Sequence, residues 1–137
     1  ISSLSGCSNL TVCVVPRAKE EDYYSDQQKL FRQVISDVVD NLDGFSNGTK
    51  YIIRSTNTIT THMYKSGNGG DGKKPYPGIM KETCIVLDDV RGKDILLIDD
   101  IYTREVNIDE DAIQTLRDKQ ANSVIFYAVA RTVQGGV

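Results

Sequence analysis

Apolar positions along this chain change period from run to run, and each change marks a new element. Residues 10–16, LTVCVVP, form a short β-rich run closed by Pro16, the pattern of a buried strand opening into a loop. From Glu20 to Leu42 the period becomes helical. Leu30, Phe31, Val34, Ile35, Val38, Val39 and Leu42 recur at helical spacing, and the turn residues of DGFSNG stop the pattern. KYIIRST (50–56) predicts a second strand, which the β-branched residues of NTITTHMY extend or turn into a hairpin. TCIVLDDV (83–90) and DILLIDDI (94–101) predict two more strands, with DDVRGKD as the hairpin turn between them. The second of these is apolar without alternation, as befits a strand covered on both faces. Between Asp109 and Gln120, Ala112, Ile113 and Leu116 mark a short amphipathic helix with acids at its amino end, where the helix dipole favours them. SVIFYAVART (123–132) is the last strand.

This order predicts an α/β domain with a mainly parallel sheet flanked by helices. At 137 residues the chain is expected to form a single domain, 1–137. KSGNGGDGKKPYPG (65–78) has no apolar period and packs five Gly and two Pro into fourteen positions, which predicts a long flexible loop. The absence of an initiator Met fits excision from a longer protein.

Charge narrows the list of partners. With 16 basic and 19 acidic residues, net charge −3, the chain has no electrostatic footprint for nucleic acid or an anionic membrane. No apolar run approaches the ~20 residues that a membrane span requires. Cys7, Cys13 and Cys84 are odd in number and lack CxxC or CxxH spacing, which argues against a disulfide framework or structural zinc and for a reducing cytoplasm.

The candidate chemistry lies in ILLIDDIYTREVNID (95–109), where a buried strand runs into Asp99 and Asp100. In open α/β sheets ligands bind beyond the carboxyl ends of the strands, and the turn into the next helix offers N–H groups at its positive end. Two carboxylates there can accept hydrogen bonds from vicinal sugar hydroxyls or reach Mg2+ directly or through water. The bland reading is a solvated strand end, but strand, acid pair, turn and helix occurring together weigh against it.

ILLIDDIYT, followed by IDEDAIQTL and later VIFYAVART, resembles the phosphoribosyl-pyrophosphate (PRPP) motif of type I phosphoribosyltransferases, especially their ComF-like, amidophosphoribosyltransferase-like branch. The resemblance implies a Rossmann-like phosphoribosyltransferase fold, PRPP or another ribose-5-phosphate compound as ligand, and Mg2+ as cofactor. By position, Asp99 and Asp100 would hold the ribose hydroxyls, and Thr103, Arg104, Glu105, Val106 and Asn107 would surround the 5-phosphate. VCVVPRAKEEDYYSDQQKLF resembles the first strand and pyrophosphate loop, which puts Arg17 and Lys19 near the pyrophosphate. The stretch 65–78 would be the closing catalytic loop, with Lys65, Lys73 or Lys74 meeting the pyrophosphate. The zinc-binding amino-terminal segment common in the ComF-like branch is absent. Where the family has Thr-Gly-x-Thr, this chain has Arg104, Glu105, Val106 and Asn107. Glu105 lacks the freedom of glycine and adds negative charge; Arg104 offers a forked contact in compensation.

Three functional classes follow: a phosphoribosyl-transferring enzyme, a PRPP sensor without turnover, and an interaction module with a protein partner or a second copy. A response-regulator receiver also pairs acids at a strand end, but too little chain follows Ile98 to supply its remaining strands. His62, the sole histidine, reads as structural, as do Arg54 and Arg131 at strand ends.

Overall fold

The structure, a computed structural model, describes residues 9–16, 29–55, 83–102 and 108–131. The elements are β1 (Leu10–Val14), α1 (Leu30–Asp40), β2 (Phe45–Asn47), β3 (Ile52–Arg54), β4 (Cys84–Val86), a 3-10 turn (Asp88–Val90), β5 (Asp94–Tyr102), α2 (Ile108–Asp118) and β6 (Ser123–Arg131). Four strands form a sheet in the order β2-β1-β5-β6, and every pairing in it is parallel. The described residues thus form an α/β fold with a mainly parallel sheet flanked by helices, an arrangement compatible with a Rossmann-like fold.

Alternation along the strands sorts the core into two layers. Cys13, Ile95 and Leu97 point to one face, where Ala112 and Leu116 of α2 and Ile52, Val86 and Val90 of the β3–β4 region cover them. Leu10, Val12 and Leu96 point to the other, under Ile35 and Val39 of α1. Burial on both sides explains why LTVCV and DILLI carry no polar alternation.

Three expectations are corrected. DGFSNG is not only a helix stop: Phe45–Asn47 forms β2, pairing in parallel with β1. Gly44 makes this possible at φ 82°, its carbonyl accepting from Leu10 N–H at 3.1 Å. Gly48 closes the strand where no side chain fits, since a Cβ there would lie 2.7 Å from Thr11 Cγ2 and 2.8 Å from Tyr51 Cδ2. Second, KYIIRST does not join the parallel sheet; β3 pairs antiparallel with β4 in a sheet of its own. Third, DDVRGKD is not a hairpin turn. It carries the chain from β4 in one sheet to β5 in the other through the 3-10 turn, with Val90 fully buried and Gly92 at φ 72°.

α2 ends in a Schellman motif. Gln120 adopts φ 67°, and the N–H groups of Gln120 and Ala121 reach the carbonyls of Arg117 and Leu116 at 2.9 and 3.1 Å. Asn122 Nδ2 and Ser123 Oγ then donate to Asp94 Oδ1 at 2.7 and 2.6 Å, which sets β5 and β6 in register from their first residues. No helix among the described residues is long and apolar enough to cross a membrane.

Candidate functional site

Strand order locates the site before any side chain is considered. From β1 the chain passes through α1 to β2 on one side, and from β5 through α2 to β6 on the other. The direction of winding reverses between β1 and β5, so their carboxyl ends border the crevice where open α/β sheets place ligands. β1 pairs with β5 only as far as Val14 opposite Ile98, and Val15 N–H donates the last bond to Ile98 C=O at 2.9 Å. β5 continues to Tyr102, paired among the described residues with β6 alone. Among the described residues β5 therefore runs past the end of β1 as a notch in the sheet edge, and Asp99 and Asp100 are the first two residues on it.

Both acids lie within the strand, so they alternate. Asp99 follows Ile95 and Leu97 onto the α2 face, and Asp100 follows Leu96 and Ile98 onto the α1 face. Each is half-buried. Asp99 Oδ1 accepts the N–H of Asp100 at 2.8 Å, and its carboxyl meets that of Asp109 in the first turn of α2. The sequence had shown Asp109 only as one of three acids suited to the helix dipole. In the fold it is 4% exposed, with an Oδ1 that no donor among the described residues reaches.

Two carboxyl groups in contact need a proton between them. Burial is the main cause that holds Asp99 far above the usual carboxylate range, followed by its contact with Asp109 and then by Asp100. Burial raises Asp109 too, but the hydrogen bond from Asp99 acts in the opposite direction and favours its ionised form. The two carboxyl groups thus share a proton, at the positive end of α2 where Asp109 sits. This contact joins residues ten positions apart on different elements, and no local pattern announces it.

The β3–β4 pair brings another part of the chain toward this edge. β4 leads through the 3-10 turn to the amino end of β5, so its own beginning lies toward the opposite, carboxyl edge of the sheet. There Arg54, buried, donates from Nη1 to Thr83 Oγ1 at 2.6 Å, and Ser55 N–H donates to Thr83 C=O at 2.8 Å. Residues 55 and 83 are thereby joined beside the site. Arg54 has the packed, bonded role expected of it.

Arg17, Lys19, His62, Lys65, Lys73, Lys74, Thr103, Arg104, Glu105, Val106 and Asn107 lie outside the described residues, as does the loop 65–78. Among the described residues no three metal-ligating side chains converge. Burial pushes the thiol of Cys13 up to about 12 and raises that of Cys84, which makes both core thiols and not nucleophiles.

Fold and site together define an α/β domain with a carboxylate-lined notch at the switch point of a parallel sheet. Comparison with protein-family models, curated proteins and solved structures gave no match to the chain.

Proposed function

We propose that the domain binds PRPP or another ribose-5-phosphate ligand at the notch, as a type I phosphoribosyltransferase-like fold. The observation that carries the reading is the position of Asp99 and Asp100: on the strand that projects past β1 at the switch point, with the amino end of α2 following within a few residues. Asp100 accepts from the ribose hydroxyls. Asp99, already engaged with Asp109 and the Asp100 N–H, shapes the wall beside it. Residues 103–107, between β5 and α2, surround the 5-phosphate.

Mg2+ would be carried on the ligand's own diphosphate, where it would offset the negative charge. Turnover would break the bond from C1 to the pyrophosphate oxygen, form one from C1 to an acceptor nitrogen, and pass the nitrogen's proton to solvent. The protein's part is to position the reactants and exclude water. A sensor without turnover is the second reading, favoured by Arg104 and Glu105 in place of the family's Thr-Gly.

Calorimetric titration of PRPP with Mg2+ tests the common core of both readings. Heat of binding is expected, and its loss in Asp99→Asn plus Asp100→Asn ties it to the notch; no heat in the unmodified chain removes enzyme and sensor together. Pyrophosphate release then separates the two.

A further inference from the structure

β2 ends in an Asn–Gly pair, Asn47–Gly48, a dipeptide prone to lose its side-chain amide because a glycine nitrogen is open to attack on the carbon before it. Both residues are required where they stand. A Cβ at Gly48 would lie 2.7 Å from Thr11 Cγ2 and 2.8 Å from Tyr51 Cδ2. Asn47 ties β2 to α1: its Nδ2 donates to Ser36 Oγ at 2.8 Å and to Asp40 Oδ1 at 2.9 Å. Its Oδ1 accepts from the N–H and Oγ1 of Thr49 at 3.0 and 2.7 Å. A carboxylate only accepts and a backbone N–H only donates, so Asp40 and Thr49 together fix which end of the amide is which. Aspartate in this place lacks the donor that Asp40 needs.

The folded chain holds the reactive atoms apart. Gly48 N–H is engaged by Val12 C=O at 2.8 Å, and both ends of the Asn47 amide are bonded, so its Cγ is not free to turn onto the Gly48 nitrogen. Attack requires β2 to leave β1. β2 is three residues long and lies at the edge of the sheet among the described residues, the kind of element that opens while the rest of a fold stays closed.

We infer that Asn47–Gly48 is a self-modifying site, a one-way latch between α1 and β2 that opening of the strand releases. The Gly48 nitrogen gives up its proton and bonds to Asn47 Cγ, the Cγ–Nδ2 bond breaks, and ammonia leaves a five-membered succinimide. Water then opens the ring at either carbonyl, to aspartate or to isoaspartate. Neither product fits the native contact. Aspartate sets a second carboxylate 2.9 Å from that of Asp40, where a donor stood, and isoaspartate lengthens the backbone beside a glycine that has no space to move. α1 thereby loses a tie that holds Ile35 and Val39 over Leu10 and Val12.

Mass spectrometry of proteolytic peptides from the full chain, aged in native buffer and in urea, follows the mass gain at Asn47. Asn68–Gly69, the other Asn–Gly pair of the sequence, reports the same chemistry in the unfolded chain. In urea Asn47 is expected to keep pace with Asn68. In native buffer it should fall at least ~100-fold below its own urea rate, by the same factor as the hydrogen-exchange protection of the Gly48 amide. A native rate equal to the unfolded one, or a slowing that departs from the Gly48 exchange, overturns the inference. Asn47→Asp makes the aspartate product directly and should lower the urea midpoint; adding Asp40→Asn returns a donor to the pair and should recover most of the loss. An Asn47→Asp chain as stable as the wild type, or one that Asp40→Asn does not rescue, overturns it equally.

Discussion

Asp99→Asn tests the shared proton at the notch. The amide Nδ2 can donate to Asp109 and the amide oxygen can accept the Asp100 N–H, so both hydrogen bonds survive without a titrating group. In the wild type, the carboxyl of Asp99 is raised from its ordinary 3.8. A raised pKa gives stability that is fully present below the unfolded value and is lost as pH climbs toward the folded one. The limiting slope is ~1.4 kcal/mol per pH unit, or about 4 kcal/mol between pH 5 and pH 8. Asp99 is only half-buried, and solvent screening brings the expected difference down to about 1–2 kcal/mol. Urea unfolding at pH 5 and pH 8 measures it. The gain of Asp99→Asn over wild type should grow by that amount toward pH 8, with m unchanged. A gain independent of pH would show that Asp99 and Asp109 do not share a proton.

Two further outcomes concern the scaffold. Gly48→Ala, which drives a methyl into Thr11 and the Tyr51 ring, should cost about 1–3 kcal/mol in the same urea experiment. Cys13 and Cys84 should react with a thiol reagent at pH 8 no faster than the protein unfolds, measured by mass-mapped labelling against unfolding kinetics.

What the sequence disclosed followed from how local each cause is. The run DILLIDD and the apolar period between Asp109 and Gln120 are decided by their own residues, and β5 and α2, the latter at Ile108–Asp118, follow that pattern closely. β2 was hidden because three residues between Gly44 and Gly48 carry too little pattern; their strand state comes from pairing with β1. The partition of β3 and β4 into a separate sheet was equally non-local. Seven apolar positions near α1 recur at helical spacing, yet Leu30, Val34, Val38 and Leu42 are exposed. Periodicity reports which face is apolar, not whether anything covers it. Asp99 and Asp100 were legible as a pair, whereas their divergence to opposite faces, and the partnership of Asp99 with Asp109, needed β5 to continue to Tyr102.

The clasp between Ser55 and Thr83, with Arg54 locked behind it, has a consequence for how this domain can change over time. Ser55 and Thr83 stand 28 positions apart, and their hydrogen bonds fix the spacing of the two points at which the chain leaves β3 and enters β4. Closing a chain between two fixed points costs only about 0.6 kcal/mol more for each doubling of its length. A change in chain length between those points therefore adds little closure cost to the β3–β4 pair, whereas a change at Ser55 or Thr83 removes the clasp itself.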